Sequence, residues 1–284
     1  MTSQQSKSAI LITFGVLSLS ISMAIAKHLD SSIPTTMVVF VRNSFGLLFF
    51  IPIFIKKRHC ISLTNNISLH IIRIILGVFA MLCTYYTYRN LPIAFATSVG
   101  MTMPMFITTL SGLILKEYIG YKKWGLITLG YIGALIIIKP ISFAINAAVV
   151  TALIANALAA TCIVIIKILS RKDSVVTIML FGNVGIFVVS FCLSFIQWHV
   201  LNFYDLILLS LTGLLGLITQ ICTTTAIKLT SPSFIAPFEY TRLLFAMIIG
   251  FVLFDEVPEM STLIGMSIVV ISTYTMAISK QKIV

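Results

Sequence analysis

The sequence predicts an all-α membrane protein of ten transmembrane helices, arranged as two inverted five-helix repeats. Three observations predict it: an apolar composition, ten apolar runs of helical length, and a register in which the second half of the chain overlays the first. Of 284 residues, 59% are hydrophobic and only 10% are charged, whereas an average soluble domain carries about 25% charged residues. The mean hydropathy is +1.10. A soluble globule needs far more polar surface than this, so an ordinary soluble enzyme and a disordered chain are both excluded. The net charge is +11, from 19 Lys and Arg against 8 Asp and Glu. In a soluble domain that excess points to nucleic acid. Here the bases lie between apolar runs and belong to membrane topology, so no nucleic-acid partner is expected. The five cysteines, Cys60, Cys83, Cys162, Cys192 and Cys222, show no C-x-x-C spacing and predict neither a disulfide framework nor a metal site.

The ten runs cover residues 8–26, 33–55, 69–88, 91–115, 124–138, 143–166, 175–195, 205–227, 231–254 and 261–278. Most approach the roughly 20 residues that an α-helix needs to cross the hydrocarbon core. The fifth is short and borrows Lys122 and Lys123 as snorkelling ends. The seventh exits near Gln197, Trp198 and His199, an interfacial trio. The runs are apolar on all faces and too long for barrel strands. Within lipid a helix satisfies its own backbone N–H and C=O groups. The first run, with Lys7 before it and Ala24-Ile25-Ala26 at its end, also has the outline of a cleavable signal. Its 19-residue length and the repeat described below favour a retained helix.

Basic residues set the direction. With the N-terminus inside, the inner connections hold Lys7, Lys56, Lys57, Arg58, Arg73, Lys116, Lys122, Lys123, Lys167, Arg171, Lys172, Lys228, Lys280 and Lys282. The outer connections hold only Lys27, Arg89 and Lys139. This asymmetry predicts both termini in the cytoplasm.

A shift of 139 residues overlays residues 76–117 on 215–256, with identities that include Leu76/Leu215, Gly77/Gly216, Cys83/Cys222, Phe95/Phe234, Thr102/Thr241 and Glu117/Glu256. A shift of 140 pairs Lys27 with Lys167 and Asn43 with Asn183. The predicted units are residues 8–138 and 143–278. Each holds five helices, and because five is odd the second unit enters the membrane from the opposite side. Inverted repeats of this kind place a substrate site near the midplane, between the halves.

Arg42 lies near the centre of the second run, and Glu239 and Arg242 near the centre of the ninth. A charge at that depth costs about 2.5–3.5 kcal/mol on insertion scales and needs a partner or water. Glu239 and Arg242 are three residues apart on one helix face and can partly neutralise each other, which leaves Arg42 in surplus. Two roles are open. The face lines a polar cavity where Arg42 or Arg242 grips a carboxylate or phosphate and Glu239 takes an amine or proton, or it forms a salt bridge tying span nine to span two. Tyr240, between the two charges, and Asn43, beside Arg42, join the candidate substrate-binding set. So do Tyr85 and Tyr88, which share a face able to stack on a ligand, and Gln220. Interhelical hydrogen bonding and interfacial placement are the plainer roles for these tyrosines and for Thr84, Thr223, Thr224 and Thr225. Pro104 and Pro237 fall inside runs four and nine and free the carbonyls of Gly100 and Ser233, which permits a hinge or a ligand contact. Gly112, Gly125, Gly130 and Gly133 suit close helix packing. No zincin, phosphate-loop or Ser-His-Asp pattern is present.

The segment TYRNLPIAFATSVGMTMPMFITTLSGLILKE followed by GLITLGYIGALIII resembles the fourth and fifth helices of an EamA-type domain of the drug/metabolite transporter superfamily. The segment AIKLTSPSFIAPFEYTRLLFAMIIGFVLFDEVPEMSTLIGMSIVVIS is similar to the matching part of a second such domain, and VVFVRN resembles the family's Arg-bearing second helix. The resemblance spans about residues 10–278. It implies two inverted halves that alternate access to either side of a bacterial inner membrane, no cofactor, and no enzymatic activity. Relatives in the superfamily move amino acids, nucleotide-like metabolites, riboflavin and xenobiotics. The stretch APFEYTRLLFAMIIGFVLFDEVP is similar to the subset that includes S-adenosylmethionine uptake carriers, although the acid and base around Tyr240 stand in the opposite order here. The expected function is secondary transport of a small organic metabolite, amino-acid-like or nucleotide-like, with S-adenosylmethionine among the candidates. The alternative is a proton-coupled drug exporter using Glu239. The expected partners are that small-molecule substrate and the lipid bilayer, with the protein a monomer or homodimer.

Overall fold

The computed structural model describes residues 3–26, 29–30, 32–61, 64, 66–90, 99–117, 119–138, 147–254 and 260–278. Lys27, Lys139, Asp255, Glu256, Glu259, Lys280 and Lys282 lie outside the described residues, as do the side chains of Tyr88 and Arg89.

Helices dominate. In the first half these are α1 (Ser3–Ala26), α2 (Thr35–Lys56), α3 (Ile67–Asn90), α4 (Met103–Leu115) and α5 (Tyr121–Ile138). In the second half they are α6 (Ala147–Leu169), α7 (Val175–Ser194), α8 (Phe203–Leu229), the short α9 (Pro232–Ile235), α10 (Thr241–Phe254) and α11 (Met260–Ile278). Among the described residues, α2, α3, α6, α7 with its 3-10 exit, and α8 are each long and apolar enough to cross a membrane. Large apolar side chains such as Ile10, Ile71, Leu113 and Val188 point outward, where only lipid would favour them.

Local chemistry explains the helix ends. The Ser174 hydroxyl accepts from the Thr177 amide at 3.1 Å at the start of α7. The Asn202 side chain accepts from the Asp205 amide at 2.7 Å at the start of α8. Each satisfies one of the amides that a helix start leaves unpaired. Asp205 in the first turn of α8 and Lys228 in the last also complement the helix dipole.

Packing interchanges the halves. Helix α1 lies along α8, and α6 lies along α3; α2 meets both α7 and α8, and α7 meets α3; α5 pairs with α11. These pairings map onto one another when spans one to five are exchanged with spans six to ten. The α5–α11 crossing is close, because a Cβ on Gly133 would stand 2.9 Å from the Gly265 carbonyl oxygen. The glycine is therefore a packing residue, in line with the sequence reading.

Spans four and nine differ from the continuous runs read in the sequence. Span four turns at Met101 and Thr102 before α4 begins. Span nine is α9, a 3-10 stretch over Ala236–Tyr240, and then α10. Pro104 is the second residue of α4 and Pro237 the second of the 3-10 stretch. At the start of α4 the missing N–H would have no intrahelical acceptor anyway, so Pro104 starts a helical segment more readily than it kinks one, whereas Pro237 follows directly on α9 and removes an N–H from a continuous turn. Under the 139-residue shift, Met101 and Thr102 fall on Tyr240 and Thr241, so both halves break in the same register.

The first part of span nine is buried among helices of both halves. Phe234, Ile235, Ala236 and Phe238 are packed with Ile12 and Val16 of α1, Ile107 of α4, Ala160 and Ile163 of α6, and Ala226 and Ile227 of α8.

Candidate functional site

Two polar regions arise where the halves meet. The first lies at the paired breaks. Asn156 of α6 donates to the Val99 carbonyl at 2.8 Å and to the Thr102 hydroxyl at 3.0 Å, which holds the turn of span four. Arg242 approaches that turn: its Nη2 stands 3.4 Å from where a Cβ on Gly100 would be. The Nε of Arg242 is buried without a hydrogen-bond partner. Glu239 is buried in the 3-10 stretch, in the electrostatic field of Arg242. The two do not close an ion pair. Among the described residues, only His70 and Asp173 bring a base within 4 Å of a carboxylate. Residues three apart share a face in either winding, so the gap goes with the direction of the Arg242 side chain, which extends toward the turn at Gly100.

Tyr240 points elsewhere. It is fully buried, its hydroxyl donates to the Ile127 carbonyl at 3.0 Å, and its ring covers Gly130, where a Cβ would come within 2.7 Å. This anchors span nine to α5.

The second region is the junction of α2, α3, α7 and α8. The Arg42 guanidinium of α2 lies over Gly216 of α8, with Nη2 2.7 Å from the Cβ position, while Gly213 packs on the Arg42 carbonyl. These glycines let α2 approach α8 and leave room for the side chain. Asn43 donates to the Val39 carbonyl of its own helix at 2.7 Å and to the Met81 sulfur at 3.9 Å. Tyr85 packs against Ile33, Met37, Val38, Val41 and Leu209. Thr84 is engaged with the Ala80 carbonyl. The Nε2 of Gln220 stands 3.4 Å from the Cβ position of Gly182, on the same interface.

The region also contains a residue that the sequence reading assigned to a connection. Arg73 is 6% exposed inside α3, and its Nη2 donates to the Ile178 carbonyl at 3.0 Å. Its guanidinium occupies the space over Gly182, where a Cβ would clash with it. Hydropathy counting placed Arg73 among the inner bases because it is near the start of the third run, where an Arg commonly snorkels out. The glycine about two turns into α7 is the signal that it can turn inward. One turn earlier, His70 meets Asp173 at 2.9 Å, and Asp173 also accepts from the Thr64 hydroxyl at 2.9 Å.

The comparisons with known proteins agree with this architecture. The EamA-like transporter family matches residues 6–139 and again residues 146–278. The S-adenosylmethionine uptake transporter of Rickettsia conorii is 25% identical over 94% of this chain and 91% of its own length. The pseudopaline exporter of Pseudomonas aeruginosa is 24% identical over 92% of this chain and 93% of its own. The riboflavin transporter of Vibrio cholerae is 27% identical over 88% and 85%. A solved crystal structure superposes with a TM-score of 0.79 at 15% identity, covering 95% of this chain and 98% of that one, which shows the shared fold. The chain belongs to the EamA-like transporter family and is a multi-pass, all-helical membrane protein.

Proposed function

We propose that this EamA-like transporter moves a small organic metabolite with an acidic group, amino-acid-like or nucleotide-like, by alternating access between its halves, residues 8–138 and 143–278. Both termini face the cytoplasm of a bacterial inner membrane. The observation that carries the reading is the state of Arg42 and Arg242. Neither guanidinium has a carboxylate within 4 Å among the described residues, and each lies at a junction between the halves. A guanidinium at that depth is stabilised by water or by an incoming anion, and its planar fork suits a carboxylate or phosphate. Pro104 and Pro237, at the paired breaks, are the proposed hinges. Gln220 is the proposed polar neighbour of the ligand, and Tyr85 and Asn43 shape the α2 side. S-adenosylmethionine, the cargo in the name of the Rickettsia relatives, is one candidate solute through its carboxylate.

Initial uptake rates of radiolabelled metabolites into proteoliposomes test the reading. Arg42→Ala and Arg242→Ala should each lower the rate at least tenfold with unchanged protein content. A wild-type rate in either variant overturns it. The buried, unbridged Glu239 favours one second reading, a proton-coupled exporter of lipophilic cations. On that reading Glu239→Gln abolishes the pH dependence of efflux while Arg42→Ala leaves efflux intact.

A further inference from the structure

The interior holds more positive charge than the proposed site uses. Of the described carboxylates, Asp173 is taken by His70 and Thr64, Asp30 by the Ser32 amide, and Asp205 accepts from the Asp30 amide at the far end of the bundle; Glu117 lies in the field of Lys123 and Lys167, and Glu239 lies in the field of Arg242 without closing an ion pair. Arg42 and Arg73 are left without an acid at the junction of α2, α3, α7 and α8. Each reaches across the boundary between the halves and lies over a glycine of the opposite half, Gly216 and Gly182 respectively. The two interfaces, α2 with α8 and α3 with α7, exchange under the internal repeat. Gln220 joins them. It lies four residues after Gly216, about 6 Å of helix rise, and reaches the Gly182–Arg73 contact. Arg73 is bonded to a neutral carbonyl, which accepts a hydrogen bond without balancing the charge. Buried charges are compensated by paired charges or by ligands.

Resting on the transport reading above, we infer that Arg42 and Arg73 form one two-guanidinium seat for an organic dianion whose acidic groups stand several ångströms apart, as in a dicarboxylate. Two separate forks match two separate carboxylates better than a single phosphate. The seat disfavours a net cation. S-adenosylmethionine carries a sulfonium and an ammonium against one carboxylate, so its net charge opposes the field of these residues. The inference therefore separates this chain in cargo from the Rickettsia relatives it is similar to.

The test uses the purified full chain, with binding read by thermal shift and transport by uptake into proteoliposomes. The probes are succinate, glycerol 3-phosphate, alanine and S-adenosylmethionine. Succinate should bind wild-type protein at least tenfold more tightly than the other three. Arg73→Gln should weaken succinate binding at least tenfold and change alanine binding less than threefold. Arg73→Lys, which keeps the charge but loses the fork, should fall between. Should Arg73→Gln not be monodisperse, Gly182→Ala serves, because its methyl group displaces the guanidinium without removing it. Tighter binding of alanine, S-adenosylmethionine or glycerol 3-phosphate overturns the inference, as does unchanged succinate binding in the Arg73 and Gly182 variants. Uptake of alanine or S-adenosylmethionine that needs Arg42 but not Arg73 overturns this inference alone and leaves the transport reading standing. Binding and uptake of none of the four by wild-type protein overturns this inference, while the transport reading is overturned by wild-type rates in Arg42→Ala or Arg242→Ala.

Discussion

The two ends of the bundle are tied by equivalent segments with different chemistry. At one end the α6–α7 connection meets the start of α3. Asp173, 2% exposed, is held by His70, which is fully buried, and by the Thr64 hydroxyl. Lys228 donates to the Asp173 carbonyl at 3.2 Å, and the His70 ring stacks on Phe181 at 4.6 Å. At the other end the α1–α2 connection meets the start of α8. There the Asp30 amide donates to the Asp205 carboxylate at 3.4 Å. The Asp30 carboxylate itself turns back on the Ser32 amide at 2.8 Å, a hydrogen bond that holds its carboxyl below the usual range. That local turn is present above the ordinary carboxylate pKa and is lost only as the pH falls through the lowered value. The lesson is that the repeat fixes where the halves touch, while side chains fix how tightly. One end is closed by a desolvated acid–imidazole pair; at the other, the long Asp30–Asp205 hydrogen bond stands beside apolar packing of Leu29, Ile33, Leu201 and Leu209.

Three substitutions break or sharpen this contrast, in descending size. Asp173→Ala leaves His70 buried with neither ring nitrogen paired, since its Nδ1 already lacks a partner. The expected loss is about 3 kcal/mol, read as a fall in the thermal midpoint in detergent. The same variant should increase maleimide labelling of a cysteine placed at Thr64. Asn202→Ala removes the cap of α8 and costs about 1 kcal/mol. Hydrogen exchange should localise that loss to the first turn of the helix. Asp205→Asn keeps an acceptor for the Asp30 amide and removes only the helix-dipole term, about 0.5 kcal/mol. A midpoint change in Asp205→Asn as large as that in Asp173→Ala would mean that the two ends are equally strong.

The sequence was informative where lipid does the sorting. The apolar runs follow from the cost of placing polar groups in hydrocarbon, and Arg42 is conspicuous for the same reason. It was less informative where geometry decides. Nothing in hydropathy separates a proline that kinks a helix from one that starts a new segment, so spans four and nine read as continuous. Nor does it show that the Arg242 side chain extends toward Gly100 and leaves Glu239 unbridged. Arg73 read as a connection base because an arginine six residues into a helix can reach the interface or turn inward, and its seat, Gly182, is 109 positions away. His70 and Asp173 form a pair only through the fold, at a sequence separation of 103. Tyr240 looked available for a ligand because sequence does not reveal that its hydroxyl already has an acceptor on α5.

The five 3-10 residues in span nine have a mechanical corollary. A 3-10 helix rises about 2.0 Å per residue and turns about 120°, against 1.5 Å and 100° in an α-helix. Rewinding Ala236–Tyr240 into α geometry would shorten the rod by about 2.5 Å and swivel everything beyond it by about 100°. Arg242 is the second residue past that joint. A screw motion of that size would swing its guanidinium away from the turn at Gly100, and it would also have to repack Ala236 and Phe238 against α1 and α8.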